Sequence, residues 1–344
     1  MKKFLSVVLV IVLAINICGC DLYRGKRRVV ALTYENELFD SMQNQTAFDG
    51  LKLLVSSLKI SYFENENVSE FPDNLRTIID EGHDFIWCFE PQSKDILKEE
   101  AAKSPNTLFG LIDSTYDEIP ENVVTLDFRD YEGGFIAGYA AEKLSPNHRI
   151  GFLAGKQSDV SKKYEVGFRA GAMYSAKKSG NMVDVFVHYT NDDYSKQAGR
   201  AGAQILYVEN GCDIIFHATQ VTGLGAIEEA IALNKPIICS GKDQSSYGPK
   251  NVMFTITKNV KNGINTVTTY FVDKEEIGGK NFNYGIKERV IGISKTNVNL
   301  ERKLYRELTD IRDDIAEEKI KVPHNDETLA QFINNLNNTG SVQQ

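Results

Sequence analysis

The chain has 344 residues, of which 42% are hydrophobic and 25% charged, and its formal net charge is −8. That length accommodates two domains of ordinary size, and the composition builds ordinary cores while excluding disordered and collagen-like chains. The only dense basic run is Lys26-Arg27-Arg28 in an otherwise acidic chain, so nucleic acid is excluded as a partner.

Lys2 and Lys3 precede an unbroken apolar run from Phe4 to Ile15, then Ile17-Cys18-Gly19-Cys20. A basic head, a short apolar core and small residues describe a secretory signal, and the run is shorter than the ~20 residues of a membrane span. The Ile-Cys-Gly-Cys end resembles a bacterial lipobox, which implies a signal peptide over 1–19 and a lipidated Cys20 at the head of a linker, 20–28. Acyl chains contribute about 0.8 kcal/mol per buried CH₂, so two or three of them would hold the body on a membrane. The expected location is extracytoplasmic, on a cell membrane. Cys88, Cys212 and Cys239 each sit in or beside apolar stretches without short spacings, a pattern of small buried hydrophobes rather than a disulfide framework or zinc site. Neither a metal nor a cofactor is expected.

Strands are expected at Val29–Thr33, Ile60–Phe63, Phe85–Phe89, Leu108–Asp113 and Val123–Phe128. A second set follows at Ile150–Ala154, Val183–Tyr189, Asp213–Ala218, Pro236–Ser240 and Val252–Thr257. Between them, helical spacing recurs in segments such as Ala47–Leu58, Asn74–Glu81, Gly134–Leu144, Lys163–Ser179, Lys196–Val208 and Gly225–Leu233. Strands alternating with helices mean right-handed βαβ units and parallel sheets, here in two doubly wound lobes. The Asn259–Phe271 helix and the Lys280–Ser294 ribbon read as a return to the first lobe and back. Leu300–Lys319 reads as a closing helix, and polar residues 323–344 as a flexible tail. The expected division is therefore an N-lobe of 29–129 and 258–284 and a C-lobe of 130–257 and 285–322.

Four segments carry a family resemblance. They are Asp127-Phe-Arg-Asp-Tyr-Glu132-Gly133-Gly-Phe135-Ile-Ala-Gly138, Ile150-Gly151-Phe152-Leu-Ala-Gly155 with Glu165-Val-Gly167-Phe168-Arg-Ala-Gly171, and Ile215-Phe216-His-Ala-Thr-Gln-Val-Thr222-Gly223-Leu-Gly225. From Val29 to about Pro323 the chain resembles the basic membrane protein family of bacterial lipoproteins, whose purine-nucleoside receptors serve ABC transporters. The resemblance implies the type I periplasmic-binding-protein fold, an α/β architecture of two doubly wound parallel-sheet lobes joined by three hinge crossovers. It also implies a nucleoside-like small-molecule ligand, an ABC permease as partner, and a monomer.

In open α/β sheets, ligands sit at the carboxyl ends of strands, where Asp113, Phe216 and Lys258 are expected. A ring can stack on a planar base, a carboxylate can accept from hydroxyls or N–H groups, and a lysine can donate three hydrogen bonds. The resemblance carries the ligand site onto Asp40 and Asn44, Asp113, Phe216, Asp243 with Gln244, and Lys258. It also shows departures: a family aspartate is Tyr34 here, a family phenylalanine is Gln43, and another aspartate falls on Gly241. Tyr34 and Gln43 are expected to make replacement contacts. Read without the family, Asp40 and Asn44 are helix caps, Phe216 is core, Asp113 and Asp243 are turn residues, and Lys258 is a solvated lysine.

Gly223-Leu-Gly225 lacks the third glycine of a dinucleotide fingerprint, Gly241-Lys242 is not a phosphate loop, and no nucleophile and base are juxtaposed in sequence. No enzyme is expected. The expected function is a membrane-anchored solute-binding lipoprotein for ABC import. The alternative is a surface-exposed antigen or adhesin with a diverged cleft and protein partners.

Overall fold

The computed structural model describes residues 25–34, 42–65, 67–296 and 298–338. The signal peptide, Cys20 and Asp40 lie outside the described residues. In chain order the strands are β1 (Arg28–Leu32), β2 (Lys59–Phe63), β3 (Phe85–Cys88), β4 (Leu108–Ile112), β5 (Val123–Phe128) and β6 (Arg149–Ala154). They continue with β7 (Asp184–Tyr189), β8 (Ile214–Ala218), β9 (Ile237–Gly241), β10 (Val252–Lys258), β11 (Lys280–Tyr284) and β12 (Ile291–Ile293). One sheet has the order β2-β1-β3-β4-β5-β11 and the other β7-β6-β8-β9-β10-β12, so the two lobes repeat one doubly wound arrangement. Among the described residues the strand pairings are parallel except β10 with β12, which is antiparallel.

Helices cover both faces of each sheet. They are α1 (Met42–Lys52), α2 (Phe71–Asp80), α3 (Lys94–Lys103), α4 (Asp130–Leu144), α5 (Asp159–Ser179), α6 (Lys196–Gln204), α7 (Val221–Ala232), α8 (Val260–Val272), α9 (Arg302–Ala316) and α10 (Asp326–Asn338). Because strand side chains alternate, Val29 and Ala31 pack with α1 and α8, while Val30 and Leu32 pack with α2 and α3. Two covered faces explain why β3 and β5 are buried at every position and read as unbroken apolar runs.

In the second lobe α4 and α5 pack backbone to backbone, and the sequence permits it. A methyl group on Gly138 would stand 1.9 Å from the Phe168 carbonyl oxygen. The start of α5 is set by a capping box in which Ser158 and Ser161 satisfy each other's backbone N–H groups. Where the sequence reads as a polar tail, α10 forms instead, with Leu329 buried in the second lobe's core. Its apolar residues are spaced for one helical face, and the exposed face of α5 gives that face somewhere to go.

The chain crosses between sheets three times. β5 leads into α4, β10 leads into α8, which packs on α1, and β11 in the first sheet leads to β12 in the second. Arg129 ties the first crossing to the third, donating to Glu132 Oε1 and Glu288 Oε2 at 2.6 Å each. Glu132 and Glu288 then accept the backbone N–H groups of Ile286 and Gly285 at 2.7 Å. Lys163 of α5 reaches across to Asp127 of β5 at 2.6 Å.

Candidate functional site

The carboxyl ends of the two sheets face one cleft of about 720 Å³, within the ~300–1,000 Å³ usual for small-molecule sites. Short loops after β3, β4, β6, β8 and β9 bring Glu90, Asp113, Lys156, Thr219 and Asp243 to its wall, and Asn44 arrives on α1. Lys258 and Asn259, at the second crossing, complete it from the hinge.

Lys258 holds the floor together. It is almost fully buried, and its Nζ lies 2.6 Å from Asp113 Oδ1 and 3.1 Å from Asp130 Oδ2, 4.4 Å above the Phe128 ring. Burial would lower its pKa, but the two carboxylates overcome that and raise it, so the amine stays charged. Asp130 begins α4 and is completely buried. Its pKa is pushed up to about 6, mainly by burial, which the Lys258 charge opposes and the Asp113 charge reinforces. Tyr164 lies against the same group, and its phenol is raised by burial and then by the Asp130 charge.

Asp113 follows β4 in a left-handed backbone conformation, φ 59°. Its second oxygen accepts from Gln43 Nε2 at 2.5 Å. Both oxygens are thus filled by Lys258 and Gln43. Glu90 is half of a second such arrangement: it accepts from the Asn44 amide and, at 2.6 Å, from the Tyr34 backbone N–H. Asp243 accepts from the Ser245 backbone at 3.0 Å and hydroxyl at 2.5 Å. Burial acting on Asp243 is outweighed by these bonds, and its pKa falls below the ordinary carboxylate value. Asp193 accepts from Thr219 Oγ1 at 2.9 Å and from the Lys156 backbone at 3.3 Å.

The fold therefore brings Gln43, Asn44, Asp113, Asp243 and Lys258 to one cleft. Three residues expected at the site stand elsewhere in this structure. Phe216 is not at the cleft surface: it is fully buried, stacked on Phe168 at 5.7 Å and edge-on to Tyr164 at 5.8 Å. The pleat of β8 turns Phe216 towards α4 and α5, so Tyr164 presents the aromatic surface in front of it. Tyr34 packs its ring against Phe71 at 4.9 Å and gives the site its backbone N–H rather than its side chain. Gln244 is buried beneath the wall, donating its amide to the Ser240 carbonyl at 2.8 Å. Glu90, Asp130 and Tyr164 are site residues that sequence reading did not single out. Glu90 was marked only by an acid directly following an apolar strand.

A family model described as ABC transporter substrate-binding protein PnrA-like matches residues 27–326. The chain is 32% identical to Basic membrane protein A2 of Borrelia garinii subsp. bavariensis over 311 residues, covering 89% of this chain and 90% of that one. It is likewise 32% identical to Basic membrane protein A of Borreliella burgdorferi over 310 residues, 88% of this chain and 90% of that one. Among solved structures, a solute-binding protein of an ABC transporter system from Aeropyrum pernix K1 superposes with a TM-score of 0.77 at 18% identity, over 91% of this chain and 98% of that one.

Proposed function

Because the chain belongs to the PnrA-like family of ABC transporter substrate-binding proteins, we propose that it captures a nucleoside-like ligand between its lobes and delivers it to an ABC permease. The observation that carries this reading is the cleft of about 720 Å³, lined at once by strand ends of both sheets and by the hinge residue Lys258. Contacts from both walls favour a closed state, and the three crossings are the hinge about which it closes. Asn44, Asp113, Asp243 and Gln43 face the ligand from opposite sides, with Tyr164 as the aromatic surface; Asp40 joins them by family resemblance. Delivery at a membrane requires tethering, which the proposed lipid on Cys20 supplies. Among the described residues no helix is long and apolar enough to cross a membrane.

Mass spectrometry of small molecules released on denaturation, followed by calorimetry with a nucleoside panel, tests the ligand. Binding that weakens by at least ~1 kcal/mol in Asp113→Asn supports the reading, and failure of the whole panel overturns it. Cys20→Ser is expected to release the protein from washed membranes. A variant that still sediments with them would remove the lipid anchor from the account.

A further inference from the structure

Among the described residues, six cations and five carboxylates line the cleft of a chain whose net charge is −8. The two sets are used differently. Each of these five carboxylates already has a partner in the protein: Asp49 with Lys52 at 2.5 Å, Glu90 with Asn44, Asp113 with Lys258, Asp193 with Thr219, and Asp243 with Ser245. Of the cations, only Lys258 has one. Among the described residues, the side chains of Lys156, Lys242, Lys261, Arg289 and Lys295 have neither an ion pair nor a hydrogen bond.

These five come from separate places in the chain. Lys156 follows β6, Lys242 follows β9, Lys261 lies in the first turn of α8, Arg289 stands between β11 and β12, and Lys295 follows β12. They converge on one concavity only because the strand ends do. Lys242 is preceded by Gly241 at φ +96°, where a side chain would meet no atom within 4 Å, so the backbone there is open to close approach. A concave site whose carboxylates are already hydrogen-bonded or paired within the protein and whose cations are not offers its free donors to an anion, and ammonium and guanidinium groups bind phosphate oxygens by charge-assisted hydrogen bonds.

We infer that the cleft takes a phosphorylated form of its ligand, a nucleoside monophosphate in preference to the free nucleoside. The inference rests on the nucleoside-like reading above and deepens it: the base and sugar meet Tyr164 and the two walls, and the phosphate meets the ring of lysines and Arg289. The cations lie on both sides of the hinge, so a phosphate also draws the two walls together.

Calorimetry on the mature chain with a nucleoside, its 5′-monophosphate, ribose 5-phosphate and inorganic phosphate tests it, at about 50 mM and about 500 mM salt. The monophosphate is expected to bind roughly tenfold or more tightly than the nucleoside at low salt, with the advantage shrinking at high salt and in a Lys156→Gln/Lys242→Gln variant. Circular dichroism of that variant confirms its fold. A nucleoside that binds as tightly as its monophosphate, or an advantage untouched by the variant, overturns this inference and leaves the nucleoside reading standing. Binding of ribose 5-phosphate or inorganic phosphate without either nucleobase ligand supports the anion site and overturns the nucleoside reading. Silence from all four ligands overturns both.

Discussion

The floor and the rim of the cleft are both charged, yet they are built on opposite terms. On the floor, the side chains of Lys258, Asp113 and Asp130 are buried and the lysine pairs with both carboxylates. On the rim, Lys156, Lys242 and Lys295 are exposed and end in solvent. A buried charge stripped of its partner is costly, whereas an exposed lysine has its charge hydrated whether the protein is folded or not. The floor therefore carries stability and hinge geometry along with its proposed ligand contacts, whereas the rim is free for recognition alone.

Five substitutions break or sharpen that contrast. Lys258→Met leaves two buried carboxylates facing each other and is expected to destabilise the protein by ~3–5 kcal/mol in urea denaturation. Phe216→Ala probes the layer behind Tyr164. If that ring is core, as its stacking on Phe168 indicates, the cost is also ~3–5 kcal/mol of folding stability. A mere loss of affinity with the fold unharmed would return Phe216 to the ligand wall.

Asp130 gives the floor a pH signature. Burial lifts its pKa from 3.8 to about 6. A carboxyl group with a raised folded value holds its proton more tightly when folded, so its contribution is most favourable below pH 3.8 and is lost as pH climbs through about 6. Asp130→Asn, which cannot ionise, is expected to gain stability relative to the parent as pH rises through that range, with the gain fading as pH falls. Denaturation midpoints across the range check the sign; a gain largest at low pH would refute the assignment.

The smaller effects belong to the rim. Gly241→Ala has room for its methyl group but must hold φ +96°, so it is expected to lose ~1–3 kcal/mol through backbone strain alone. Lys242→Gln beside it is expected to change stability by less than ~0.5 kcal/mol in the same assay. Equal losses at the two positions would mean that the rim, like the floor, is structural.

The family aspartate that falls on Gly241 illustrates why aligned positions did not translate directly into a site. A residue with a Cβ is strained at that φ, so the loop after β9 takes a path suited to glycine and offers backbone where the resemblance implied a carboxylate. Phe216 illustrates a second limit. Its place in an apolar run showed that it was on a strand, but strand end and strand face are separate questions, and a one-residue change of face separates wall from core. Asp113 and Lys258 were legible because polar residues just past apolar strands sit where a doubly wound fold opens its cleft, whereas Asn44, on α1, and Asp243 came only from the family resemblance.

The sequence by itself determined the α/β architecture, the order of its strands along the chain and the helical segments between them, because apolar periodicity and turn residues are local signals. It also determined that Cys88, Cys212 and Cys239 would be buried. Only the tertiary structure decided that Lys258 would meet Asp113 and Asp130, 145 and 128 residues away, and that Gln43 would fill the remaining oxygen of Asp113. Only there, too, did five cations from five separate loops and turns become one rim. Such contacts depend on which strand ends lie side by side, and that is a property of sheet order and chain crossings rather than of any window of residues.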